Sequence, residues 1–253
     1  MSIVDKLTTI AENEQKVFDA GKQAEYDAFW DVYQNKGNYV NTQYMFSGEG
    51  WTPANFKPKY GFIPSAGDGY TKTFYYCCAK RNTNLLDLID VAKKQNINMF
   101  QPANTYSSMF EYARILTIPT IDASTTRGNT AFTKTFYYAD YTHTIEKIIL
   151  EDNNDITSSY VTFTNTFAGM SRLANITFEG PIRRDISFSS SPLTVESAKN
   201  IIEHLENYTG TTKELTYKLT LKSTVWTALN NAEAPPSGET WQEYVTSLGW
   251  NYA

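Results

Sequence analysis

Tyr70-Thr71-Lys72-Thr73-Phe74, Tyr106-Ser107-Ser108-Met109-Phe110, Phe132-Thr133-Lys134-Thr135-Phe136 and Phe163-Thr164-Asn165-Thr166-Phe167 share one five-residue pattern: aromatic, hydroxyl, any residue, Thr or Met, then Phe. A fifth stretch, Thr42-Gln43-Tyr44-Met45-Phe46, ends in a similar way. The closing residues Phe46, Phe74, Phe110, Phe136 and Phe167 stand 28, 36, 26 and 31 residues apart, close to the range of repeat arrays once loop insertions are allowed. Three residues after each of the last four stands a small or soft apolar residue, Cys77, Ala113, Ala139 and Met170. Apolar strand-like stretches follow at 85–91, 116–119, 145–150 and 173–178. A unit of this size cannot bury its apolar edge alone. The pattern therefore predicts that units stack, that each Phe packs on its equivalents above and below, and that strand backbones pair between neighbours.

The flanks differ from this middle. Residues 2–34 carry apolar side chains at helical spacing with no proline, Ser2 is a suitable N-cap, and Lys36-Gly37-Asn38 is a suitable stop. One heptad seam holds Ile3, Leu7, Ile10, Val17, Ala24 and Ala28 but is interrupted by Glu14 and Gly21. Two roles stay open for this helix: a cap packed on the repeats, or a segment that associates with copies of itself into a homo-oligomer. After Pro192 a helix is expected over 193–207, a strand over 215–221, a short helix over 223–230, and a last helix over 240–248 behind a Pro- and Gly-rich loop. The expected organisation is an N-terminal helical cap or assembly segment at 1–41, repeats at 42–192, and a C-terminal α/β capping region at 193–253. Covered ends are what a stacked array requires.

Composition narrows the partners. Aromatic residues make up 15% and charged residues 19%, a balance that favours strands and aromatic packing. The net charge is −5 and the Lys and Arg residues are scattered rather than gathered into a stripe, so nucleic acid is not an expected partner. No run reaches the roughly 18 apolar residues of a membrane span, so membrane insertion is not expected. The opening residues carry neither a basic n-region nor an apolar h-region, which predicts a cytoplasmic chain at synthesis. The only cysteines are the neighbours Cys77 and Cys78, too few for a disulfide framework.

The Phe-x-x-Cys and Phe-x-x-Ala steps followed by Leu-x-x-Ile resemble BspA-type leucine-rich repeats. They are Phe74-Tyr75-Tyr76-Cys77, Phe110-Glu111-Tyr112-Ala113, and Phe167 to Met170 with Leu173-Ala174-Asn175-Ile176. The resemblance covers roughly residues 42–192. It implies a leucine-rich-repeat solenoid of the β-rich α/β class, with short parallel strands stacked in irregular repeats, an N-terminal helix and a C-terminal α/β cap. It also implies that Cys77 is a packing residue lining the core. The first unit departs from the pattern, since Glu49 stands where a small residue is expected, and the second carries an insertion at 79–84. The flanks, Ile3-Val4-Asp5-Lys6-Leu7 through Phe29-Trp30 and Leu219-Thr220-Leu221 through Leu248-Gly249-Trp250, resemble repeat proteins encoded in phages and prophages of gut Firmicutes. That likeness implies a virion structural component, so the chain would move from the cytoplasm to the virion.

Chemistry-bearing motifs are scarce. His143 and His204 are the only histidines, and neither lies near a Cys or carboxylate at ligand spacing. There is no nucleophile elbow, phosphate loop or dinucleotide fingerprint. The run Glu151-Asp152-Asn153-Asn154-Asp155 offers hard oxygen ligands, but its spacing fails the calcium loop and it reads as a solvated turn. No catalytic residue, metal or cofactor is expected. The constellation that remains is Tyr76, Tyr112 and Tyr138, each two residues after an anchor Phe, which stacked units would align in a column about 5 Å apart per rung. Such a column either seals the core edge or forms a surface that grips a sugar chain or a protein. The expected function is a non-enzymatic phage or prophage structural or binding protein, with other protein subunits or a host-surface protein or glycan as partners. Its rivals are a cell-surface adhesin of the BspA type and a carbohydrate-active enzyme. The enzyme would need two carboxylates about 5 to 10 Å apart in one cleft.

Overall fold

A computed structural model describes residues 43–48, 51, 56, 58, 61, 62, 64, 69–78, 85–152 and 161–253. The expected helix over 2–34, its association with other copies, Glu49, the 79–84 insertion and positions 153–155 of the acidic run lie outside the described residues.

The fold is mixed α/β, with parallel strands in a curled half-barrel sheet and four helices among the described residues. Its main sheet comprises β1 (Leu86–Asp87), β2 (Ile115–Ile118), β3 (Ile121–Ala123), β4 (Thr144–Leu150) and β5 (Asn175–Glu179). All pairings are parallel, in the order β1-β2-β4-β3 with β5 on the other edge of β4. β2 and β3 are one line of chain broken at Pro119-Thr120. Both pair with β4, and Glu146 of β4 accepts bonds from the Thr120 amide and hydroxyl at the break. Proline has no amide to give a ladder, so the break falls where a strand cannot continue. A second parallel sheet, β6 (Ile186–Phe188), β7 (Lys218–Leu221) and β8 (Asn251–Tyr252), follows.

Ahead of the main-sheet strands, each five-residue pattern opens a ribbon of consecutive turns. In the 70–77 ribbon the amides of Thr73, Tyr75 and Cys77 bond back to the carbonyls three residues earlier, while Lys72, Phe74 and Tyr76 donate to Ser107, Met109 and Glu111 in the next coil at 2.8 to 3.0 Å. The same division recurs when Ser108, Phe110 and Tyr112 donate to Thr133, Thr135 and Tyr137, and when Lys134, Phe136 and Tyr138 donate to Thr164, Thr166 and Ala168. Alternate amides thus close the ribbon and join it to its neighbour, leaving little backbone polarity unmet.

This ladder brings the anchor rings together. Phe46, Phe74, Phe110, Phe136 and Phe167 form one buried column with ring centroids 4.9, 5.1, 5.7 and 5.5 Å apart. Phe188 of β6 extends it by another 4.4 Å step that the five-residue pattern did not mark. The first aromatic of each pattern makes a second column, Tyr70, Tyr106, Phe132 and Phe163, at 5.5, 5.2 and 5.9 Å. Cys77, Ala113, Ala139 and Met170 are all buried, and the buried hydroxyls of Thr73 and Thr135 are satisfied by the carbonyls three residues back.

The stretch at 85–91 departs from expectation. Only Leu86–Asp87 is strand, and Leu88–Gln95 is helix α1. The Asp87 carboxylate accepts the Asp90 amide at 2.8 Å as an N-cap, Lys93 and Lys94 occupy the last turn, and Asn96 closes the helix in a left-handed conformation. A good cap outweighed an apolar run that reads equally well as a strand. Helix α2 (Val195–Glu203) covers the open edge of β5: the Ser197 hydroxyl accepts the Ile176 amide, and the Asn200 side chain both accepts from the Phe178 amide and donates to its carbonyl. Helices α3 (Ser223–Ala232) and α4 (Trp241–Ser247) complete the C-terminal region, the second started by a capping box between Thr240 and Glu243. β6 pairs with β7 across the boundary expected at 192.

Two measurements follow from this packing. Phe136→Ala opens the column between two stacked neighbours and is expected to cost about 3–5 kcal/mol in urea unfolding, and a loss below about 1 kcal/mol would contradict a continuous stack. Tyr70 and Tyr106 are buried, and burial first of all raises both phenol pKa values well above normal. The unfolded chain releases these protons near pH 10 while the folded one keeps them, so stability is full below pH 10 and falls as pH rises further. Tyr106→Phe is expected to lower stability at pH 8, because the Asp122 carbonyl loses its donor, yet to flatten the decline above pH 10.

Candidate functional site

The three tyrosines singled out from the sequence share one face. Tyr76 and Tyr112 have ring centroids 4.7 Å apart, Tyr112 and Tyr138 5.8 Å apart, with interplanar angles of 32° and 21°. Tyr76 is 41% and Tyr138 49% exposed, and Tyr112 between them is half-buried. The rings face one another along the column, so between Tyr76 and Tyr138 the surface shows ring edges and hydroxyls rather than flat sides.

The backbone beneath them is unusual. Tyr76, Tyr112 and Tyr138 have φ of 54°, 57° and 53°, in the left-handed region that side chains with a Cβ avoid. The equivalent positions in the flanking coils are Gly48 and Gly169, with φ of 91° and 77°. The ribbon's turns demand a glycine-like conformation there, and three coils meet the demand with tyrosine at a cost of about 1 kcal/mol each. The column ends on a fitted surface: a Cβ added at Gly169 would lie 2.8 Å from the Tyr138 ring, so that ring rests on bare backbone.

Residues that the sequence did not single out complete the face. Tyr75 and Tyr137 pack edge-on against Tyr76 and Tyr138 at 4.6 and 4.7 Å. Tyr44 meets Tyr75 at 5.9 Å. The Lys72 ammonium donates to the Tyr44 hydroxyl at 3.0 Å and lies 5.3 and 5.5 Å from the Tyr44 and Tyr75 ring centres. Lys134 sits 5.2 Å over Tyr137 and 3.8 Å from Glu111, a carboxylate only 7% exposed. The bond to Tyr44 raises the Lys72 pKa; desolvation, then the Glu111 charge, raises that of Tyr75; and desolvation, then the Tyr137 phenol, raises that of Tyr112. A sequence signal for part of this face existed: Thr-Lys-Thr-Phe-Tyr-Tyr occurs unchanged at 71–76 and at 133–138. Beyond the column, the guanidinium groups of Arg114 and Arg172 lie 3.7 and 4.4 Å from the centre of the Tyr141 ring.

Elsewhere the chemistry is sparse. His143 Nδ1 pairs with the Thr144 hydroxyl and His204 Nδ1 with the Asn200 carbonyl, each at 2.7 Å. Cys77 and Cys78 are free, buried thiols 3.6 Å apart, and Cys78 also donates to the Trp51 carbonyl. Among the described residues no group of three or more His, Cys, Asp or Glu side chains gathers to hold a metal ion, and no helix is long and apolar enough to cross a membrane. A trough of about 620 Å³ runs between α1 and α2 over β4 and β5, lined by Lys93, Glu146, Asn175, Thr177 and Glu196 among others.

No protein family, curated protein or solved structure matches the chain. The energetics of the tyrosine column can be measured directly. Tyr138→Gly gives up ring stacking but relieves the backbone, so its stability is expected to stay within about 1 kcal/mol of the parent. Tyr138→Ala gives up the stacking and keeps the strain, and is expected to be the less stable of the two in thermal melts. The reverse order would remove the strain argument.

Proposed function

We propose that the chain is a non-enzymatic phage or prophage structural or binding protein, a BspA-like leucine-rich-repeat solenoid that presents its tyrosine face to a protein or host surface. The repeat assignment is supported by the equivalence of Phe74, Phe110, Phe136 and Phe167, each followed by a buried small or soft residue and then by a parallel strand or strand edge. The phage assignment is supported by the resemblance of the flanking sequences. The observation that carries the contact role is the alignment of Tyr76, Tyr112 and Tyr138 in one column at the surface, two of them more than 40% exposed.

Mass spectrometry of particles purified from a producing strain tests the structural role: peptides of this chain are expected to co-purify with the particles, and their absence sinks it. For the contact role, replacing Tyr76, Tyr112 and Tyr138 together by Ser is expected to weaken retention on host envelopes at least about tenfold, the scale on which central interface aromatics act. Unchanged retention by a folded triple variant would remove the face from the proposal.

A further inference from the structure

We infer that the tyrosine face docks an extended acidic segment of another protein, whose carboxylates are received by Lys72 and Lys134. The inference rests on the reading of this face as a contact surface and names its partner's chemistry. Tyr76, Tyr112 and Tyr138 spend their flat sides on one another, with Gly169 beneath the last ring. A pyranose or a nucleobase, each of which binds aromatic rings by stacking, finds no free face inside the column. What remains is a row of ring edges, the positive part of the aromatic quadrupole, and of phenol hydroxyls, which can donate. Both suit an oxygen anion.

The cations are placed to match. Lys72 and Lys134 hold the same position in ribbons two coils apart, a separation of about 10 Å at one strand spacing per coil. Each ammonium is already oriented, Lys72 by the Tyr44 hydroxyl and the Tyr44 and Tyr75 rings, Lys134 by the Tyr137 ring and Glu111. Glu111 in the middle coil offsets one of these two charges and leaves the other in excess. The two lysines thus outnumber the one carboxylate beside the tyrosines on a chain of net charge −5, and such a local excess favours an acidic partner on this side of the molecule. An extended peptide in the polyproline conformation repeats the same face every three residues, or about 9 Å, which brings acidic side chains at every third position onto the two lysines in turn.

The experiment uses the full chain and a fluorescein-labelled peptide of five Glu-Pro-Pro units, followed by fluorescence anisotropy at about 50 mM and about 300 mM salt. Binding that weakens with salt is expected, with little for the matching Gln-Pro-Pro peptide. The Lys72→Gln/Lys134→Gln pair is expected to lose roughly tenfold in affinity, and Lys72→Arg/Lys134→Arg to restore it, with thermal melts confirming that each variant folds. Equal binding of the Glu and Gln peptides, or an unaffected lysine pair, overturns the inference. Binding of neutral chitohexaose in place of the acidic peptide, lost in Tyr138→Ala, also overturns it while leaving the contact face itself standing.

Discussion

The column of phenylalanines and the amide ladder beside it depend on each other. Rings about 5 Å apart stack only if successive coils are held at strand spacing, and the coils stay at that spacing because alternate amides bond across the gap. The amides in between turn back within their own ribbon. This alternation explains why the coils differ in length while the ribbons do not. The spans 70–77, 106–113, 132–139 and 163–170 are equal, and all the variation lies in the segments between them. One residue added inside a ribbon would exchange the two sets of amides and break both kinds of bond, whereas one added in a loop costs only a slightly longer closure.

The parts of the fold that were legible in the sequence are those where one side-chain type answers one physical need. A buried column needs Phe, the tight place beside it needs Cys, Ala or Met, and both needs leave a mark at a fixed offset. The conformational demand at 72 and 76, and at their equivalents, left none, because Lys, Ser, Asn and Tyr fill those left-handed positions and hide a preference that only Gly48 and Gly169 betray. Helix α1 was obscured for a related reason: Leu85 to Val91 satisfies either periodicity, and the decision lay in one carboxylate, that of Asp87. Phe188 sits in a strand rather than a ribbon, so its place in the column is visible only in three dimensions.

The tyrosine face was half legible. Alignment of Tyr76, Tyr112 and Tyr138 follows from stacking alone, but their mutual orientation does not, and orientation decides what a surface can hold. Rings lying side by side with faces outward would suit planar ligands. Rings laid face to face turn the same residues into a ridge of edges and hydroxyls. The lysines and Glu111 that give this ridge its charge come from positions one or more residues away, where the pattern tolerates almost any side chain.

Helix α2 has a consequence for the extent of the main sheet. Ser197 and Asn200 supply, from side chains, the donors and acceptors that another strand would have brought to β5. An unprotected margin of a parallel sheet invites growth, whether by one more unit of the same chain or by a stray strand from elsewhere. Here the amides of Ile176 and Phe178 and the carbonyl of Phe178 on that margin are already bonded to side chains of the helix. The main sheet therefore carries its own terminator, and adding a strand beside β5 would require moving the helix.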